Sequence, residues 1–259
     1  MSCVCADGSL VSISEFRAFV GGIVGLAYTS DIHNCVNSAL IAADADVAGG
    51  IAGLIATDSF VENCLNTGMV FSAAKSDVVK DYYNEYKDKQ KDCVTKNYRG
   101  KEYTIKRMVH SRTLVDGSFG GIVGIASGTT FSKCTNFGFL NNTNITGGII
   151  GKAFMGATII DCLSDGEPKE DKLYGIVRAI GEESETEQVT YTVKNTLNLT
   201  KNSDYYFWSP KTINIKSGMY SYYDKNITKD EVLSGVVCAK LGENWEQNIG
   251  TDPYPTPTG

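Results

Sequence analysis

Histidine is nearly missing from this chain of 259 residues: only His33 and His110 occur, and nothing in the sequence brings them together. A zinc site or a serine triad is therefore not expected, and neither is a metal or another cofactor. Basic residues are in the minority, 24 Lys and Arg against 30 Asp and Glu, for a formal net charge of -6. That balance argues against the basic patch a nucleic-acid partner requires. No run of roughly 18 apolar residues is present, so no membrane-spanning helix is expected. The first residues, Met1 to Asp7, have neither the basic start nor the apolar run of a signal peptide. Proline is scarce, 5 residues against 27 glycines, which tilts a globular composition toward turn-rich β structure.

What is abundant is repetition. Gly21-Gly22-Ile23-Val24-Gly25 is followed by Ile32-His33-Asn34-Cys35-Val36-Asn37, and the same two phrases return three times. Gly49 to Gly53 precedes Val61-Glu62-Asn63-Cys64-Leu65-Asn66; Gly120 to Gly124 precedes Phe131-Ser132-Lys133-Cys134-Thr135-Asn136; Gly147 to Gly151 precedes Ile159-Ile160-Asp161-Cys162-Leu163-Ser164. First glycine and cysteine lie 14, 15, 14 and 15 residues apart, and copies within a pair start 28 and then 27 residues apart. A period of this size marks a stacked repeat architecture. Each copy reads as three short strands separated by turns: the glycine phrase, Ile32 to Val36, and Leu40-Ile41 or Met69 to Phe71. The expected fold is an all-β, right-handed parallel β-helix or β-solenoid, a single domain over 1–259.

Within it, 1–72 is a first pair of coils with an N-terminal lead-in strand, 73–119 an insertion, and 120–200 a second pair with a degenerate fifth coil. The fifth is carried by Tyr174 to Val177 and by Val193-Lys194-Asn195-Thr196-Leu197-Asn198, where Thr196 replaces the cysteine. The insertion has two readings. Lys75 to Asp92 carries apolar and tyrosine residues at helical spacing, whereas Cys93, 29 residues after Cys64, fits a decayed coil. Residues 201–259 form a mixed cap with one short helix, opened by the capping box Thr228-Lys229-Asp230-Glu231 and closed at Gly242.

Four of the eight cysteines share one repeat position. Stacked neighbours about 4.8 Å apart point in parallel, so Cys35, Cys64, Cys134 and Cys162 are expected as buried free thiols. A bridge, if present, belongs among Cys3, Cys5, Cys93 and Cys238. Asn34, Asn37, Asn63, Asn66 and Asn136 are expected to stack into a structural ladder with these cysteines.

The Gly-Gly-Ile-x-Gly and Asn-Cys-x-Asn phrases resemble the GLUG-motif repeats of large surface proteins from gut-dwelling and related bacteria. The end, Leu233 to Val237 with Trp245-x-Gln247, Gly250-x-Asp252 and Pro255, resembles a segment that closes such regions. The insertion departs from the motif, as do Lys133 and Asp161 in place of the first asparagine. The resemblance implies a piece of a longer exported protein, located at the cell surface or outside the cell, and adhesin-like rather than enzymatic. A monomer or part of a longer chain is expected.

Candidate sites lie where the repeat is interrupted. Tyr82, Tyr83, Tyr205, Tyr206, Trp208, Tyr222 and Tyr223 are aromatic groups suited to stacking on a glycan or anchoring a host protein. Their bland alternative is padding between the coils and the cap. The only local carboxylate pair, Asp44 with Asp46, fits a polysaccharide-acting hydrolase or lyase, or calcium, less well than it fits polar turn filling. The acidic run Glu182 to Glu187 reads as a solvated loop, and the sequons at Asn141, Asn144, Asn198 and Asn226 as chance products of Asn- and Thr-rich turns. The expected function is a non-catalytic structural and binding module, with the enzyme and a ligand-free mechanical spacer as the alternatives.

Overall fold

Every copy of the repeat lays one strand into each of up to four parallel sheets, and each sheet collects its strands in sequence order. A computed structural model describes residues 4–5, 9–13, 19–44, 47–72, 93–106, 117–141, 145–166, 175–180, 191–199, 219–221 and 227–259. Copy two shows the plan with Val47–Gly49, Ala52–Glu62, Leu65–Asn66 and Val70–Ser72. Copy three repeats it with Ser118–Gly120, Val123–Ser132, Thr135–Asn136 and Leu140–Asn141. The repeat thus holds four strands rather than the three expected, and the second is long.

The extra strand arises because the glycine phrase is a corner and not a strand. In copy one a strand ends at Gly21 and the next begins at Val24. A Cβ on Gly22 would sit 2.3 Å from the carbonyl oxygen of Gly50 and 2.7 Å from Asn37 Cγ; on Gly50 it would meet Asn66 and Gly121, and on Gly121 it would meet Asn136 and Gly148. The two repeated phrases therefore touch. Only a residue without a side chain lets the backbone of one copy pass so close to the next and to the asparagine.

A second corner separates Asp31–His33 from Val36–Asn37. The residue before the cysteine, or before Thr196 in copy five, has a left-handed φ in all five copies: Asn34 55°, Asn63 53°, Lys133 53°, Asp161 53° and Asn195 47°. Asn and Asp tolerate that region better than other non-glycine residues, which accounts for their choice here. A third irregularity explains the alternating spacing of 14 and 15. In the long strand, register shifts between Ser127 and Thr129, where Gly128 stands alone opposite two residues of each neighbouring copy. Those are Thr57-Asp58 and Met155-Gly156, all with positive φ. The additional residue of copies two and four is absorbed in this bulge, so the strands stay aligned on both sides of it.

The main buried cluster joins the long strands to the cysteine corner, with Ile55, Val61, Phe131, Ile149, Ile159 and the thiols of Cys35, Cys64, Cys134 and Cys162. All four cysteines are free and fully buried, each donating to the carbonyl two residues back at 3.2–3.4 Å. Thr196 makes the same bond to the Lys194 carbonyl in copy five. Beside them runs an amide ladder: Asn37 Nδ2 donates to Asn66 Oδ1 at 2.8 Å, and Asn66 Nδ2 to Asn136 Oδ1 at 2.9 Å. Each of these asparagines also accepts from the backbone N–H two residues on, satisfying its turn.

Cys93–Tyr98 and Lys101–Lys106 form an antiparallel hairpin that pairs only with itself among the described residues. Its turn uses Arg99 and Gly100, both with positive φ, as a two-residue connection demands. This corrects the decayed-coil alternative for 93–106, because Leu65 pairs directly with Thr135 and Val70 with Leu140. Copies two and three adjoin, and the insertion leaves the repeat undisturbed. The helix considered for Lys75 to Asp92 lies outside the described residues.

The expected single terminal helix is two: α1 (Lys229–Leu233) and α2 (Val236–Leu241). The capping box forms, with Thr228 Oγ1 accepting from Glu231 N and Glu231 Oε2 accepting from Thr228 N. Gly235, at φ 82°, then breaks the run. Hairpin and C-terminal segment share a cluster in which Tyr98, Ile105, Val232, Val237, Leu241, Trp245 and Tyr254 pack on Leu65, Phe137, Leu163 and Leu197. In the two-residue strands Leu65–Asn66 and Leu163–Ser164, the leucines point away from the amide ladder. Both segments therefore cover the opposite face of the asparagine sheet, which the sequence did not suggest.

Candidate functional site

The long strands expose one face. Its columns follow the register: Leu26, Leu54, Ile125 and Lys152; then Tyr28, Ala56, Ser127 and Phe154; then, past the bulge, Asp31, Phe60, Thr130, Thr158 and Thr192. Tyr28 is 58% exposed, Met155 64%, Phe60 45% and Leu26 43%. Single exposed apolar residues carry no information, but here they fall in adjoining columns of one sheet face.

The bulge runs across this face as a row, from Thr29 through Thr57-Asp58 and Gly128 to Met155-Gly156. A β-branched residue with φ near +50° is strained, and both Thr29 and Thr57 are of that type. Ser59 answers part of this cost, because its hydroxyl donates to the Ala56 carbonyl at 2.6 Å and accepts from Ser30 N at 3.1 Å. Charge is graded along the columns, with Asp31, Asp58 and Glu62 on copies one and two and Lys133, Lys152 and Lys194 on copies three to five. Lys152 Nζ lies 4.5 Å above the Phe154 ring, a cation-π contact that keeps ring and ammonium side by side at the surface.

Other candidates divide by position. The aromatic residues Tyr82, Tyr83, Tyr205, Tyr206, Trp208, Tyr222 and Tyr223 lie outside the described residues, as do Asp46, His110 and the acidic run 182–187. Asp44 closes the strand Leu40–Asp44, and only its backbone is described. His33 ends the strand before the first left-handed corner, where its Nδ1 lies 3.2 Å from Asn34 Nδ2. No group of three His, Cys, Asp or Glu side chains suited to a metal occurs among the described residues. Cys93 and Cys238 are free thiols.

The two central thiols of the column, Cys64 and Cys134, are chemically quiet. Burial pushes the Cys134 pKa well up, and the Cys134 thiol hydrogen-bonded to Cys64 does the same to Cys64. A raised pKa leaves little thiolate, the form that attacks electrophiles and binds metals.

Asp161 illustrates how a departure from the repeat is put to use. It is 3% exposed and accepts from Asn244 Nδ2 at 2.8 Å and from Trp245 Nε1 at 3.2 Å. Its counterpart Asn63 accepts from Arg99 Nη1 at 2.5 Å, while Arg99 Nε and Nη2 donate to the carbonyls of Pro257 and Thr258. Lys96 pairs with Asp165 beside the rings of Phe137 and Tyr254. Corner residues of the repeat thus anchor hairpin and terminal segment.

The exposed columns were missed by sequence reasoning although their signal is visible. Leu26 and Tyr28 alternate with Ala27, and the single-residue change in phrase spacing marks where the face is bent. No protein-family model matches the chain, and no curated protein or solved structure matches it significantly.

Proposed function

We propose that this chain is a non-catalytic structural and binding module, built as a right-handed parallel β-helix with one coil per repeat. We place it in an exported, adhesin-like bacterial surface protein of the GLUG-repeat type. Support for the coil comes from four parallel sheets visited in the same order by successive copies. The observation that carries the binding role is the exposed face of the long-strand sheet, where Leu26, Tyr28, Phe60, Phe154 and Met155 stand in adjoining columns beside rows of threonine. Flat aromatic and aliphatic groups edged by hydroxyls and carboxylates suit the faces of sugar rings or an apolar protein patch.

The test is a screen of the whole chain against a glycan array and host-matrix proteins, repeated with Phe60→Ala and Phe154→Ala and, separately, Trp208→Ala. Binding lost with the first two variants and retained with the third supports the face. Loss with Trp208→Ala alone moves the site to the aromatic tail, and no binding to any probe removes the adhesin reading. Release of sugar fragments that stops in Asp44→Asn would instead favour the hydrolase or lyase.

A further inference from the structure

Lys96 and Asp165 meet where the hairpin crosses the repeat. Lys96 lies in the strand Cys93–Tyr98 and Asp165 directly follows the strand Leu163–Ser164, so the two groups that touch are 69 residues apart in the chain. Their side chains are only 16% and 12% exposed, whereas the ion pair of Lys240 with Glu231 stands far more open to water. Lys96 Nζ also lies 5.9 Å from the centre of the Phe137 ring and 5.8 Å from that of Tyr254. The pair is set largely against aromatic carbon.

Both ends are fixed. The hairpin pairs Lys96 with Tyr103, and its turn is fastened by Arg99 to Asn63, Pro257 and Thr258. Asp165 N donates to the Asn136 carbonyl at 2.9 Å. Beside the pair, the buried Tyr254 hydroxyl has no hydrogen-bond partner among the described residues, a cost that an ordinary ion pair does not explain. Burial, and then the charges of Asp165 and Asp252, push the Tyr254 pKa up. The phenol therefore remains a proton donor.

We propose that Lys96 and Asp165 join as an intramolecular amide, a covalent tie between the hairpin and copy four of the repeat. Holding two charges out of water is costly, and passing one proton from the ammonium to the carboxylate removes both charges. The Lys96 amine then attacks Asp165 Cγ. An Nζ–Cγ bond forms, one Cγ–Oδ bond breaks, and the departing oxygen leaves as water with two of the three ammonium protons. No oxidant, activated ester or second molecule is consumed. The Tyr254 hydroxyl, close enough to Asp165 to feel its charge, is the donor available to that oxygen. A pair fixed in place reacts as if each group were present at about 10⁵ M or more, which favours an amide that free amine and carboxylate do not form in water. The tie keeps the hairpin on the repeat even when the contacts around it open. It is independent of any ligand on the exposed face, and its test uses neither Phe60 nor Phe154.

The experiment is intact-mass spectrometry of the full chain under denaturing and reducing conditions, followed by digestion with trypsin. The chain should be one water lighter than its sequence. A branched peptide should join residues 92–99 to 153–169, because trypsin no longer cuts after the modified Lys96. Lys96→Arg keeps the charge but offers no amine, so it should restore the full mass and release 153–169 as a linear peptide. Asp165 precedes Gly166, whose backbone N is a competing nucleophile, so the branched peptide and not the mass alone identifies the bond. The full mass in the parent chain, a water lost without the branched peptide, or a water still missing from Lys96→Arg overturns the proposal.

Discussion

Two seven-stranded sheets of this molecule share the same repeats and differ in what lies on the face turned away from the main core. The asparagine sheet is covered there by the hairpin and the terminal segment, and its Leu163 and Leu197 are fully buried. The long-strand sheet leaves Tyr28, Phe60 and Met155 in water. One set of apolar side chains acts in stability and the other is free to act in recognition. Regular repeats alone do not distinguish them; the added segments do.

The largest test breaks the cover. Trp245→Ala removes a buried indole and one of the two donors to Asp161, and should cost about 3–5 kcal/mol, measured by urea unfolding. A cost below about 1 kcal/mol would mean that the terminal segment is not integral to the fold.

A smaller effect comes from pH on the same side. Tyr98, the hairpin residue that packs on Phe137, is pushed up from 10.0 to about 12 by burial. The folded state then keeps a proton that the unfolded chain gives up. The stability from this group is complete below pH 10 and is lost as pH rises through 12, on the order of 2 kcal/mol in total. The Cys64 and Cys134 thiols, also pushed up, add a loss of the same sign above their ordinary value of 9.0. Unfolding measured between pH 8 and 12 should show this decline, and Tyr98→Phe should make it shallower. An unchanged slope in that variant would remove Tyr98 as a source.

The smallest change belongs to the bare face. Phe60→Ala should alter stability by no more than about 0.5 kcal/mol, because little of the ring's environment is lost. A loss above about 2 kcal/mol would show that the face is covered in solution and would erase the contrast between the sheets.

Much of the architecture is legible in the chain itself. The paired phrases and their spacing indicate parallel, in-register copies, and the shared cysteine position indicates buried thiols, because only one residue per copy can occupy each column. Asn37, Asn66 and Asn136 are similarly readable, since an amide can both satisfy its own turn and bond its neighbour. The corner at Gly22 is less so: glycine permits a strand or a bend, and only the packing of Gly50 and Asn37, which leaves no room for a Cβ there, shows why the bend needs glycine. Lys133 and Asp161 look like lapses until the left-handed corner and the donors from Asn244 and Trp245 are seen. The tyrosines and Trp208 drew notice by composition, whereas Leu26 and Phe60 did not, because strand alternation does not say which face is buried.

By itself, then, the sequence determined the repeat, its parallel register, the free thiols and the capping box at Thr228, all of which depend on residues near one another or at equal intervals. Only the tertiary structure decided which sheet face is covered and that the hairpin passes by copies that adjoin without it. Those outcomes depend on contacts such as Arg99 with Thr258 and Asp161 with Trp245, between residues far apart in the chain. No local periodicity encodes them, because their free energy arises from burial between segments that carry no repeat in common.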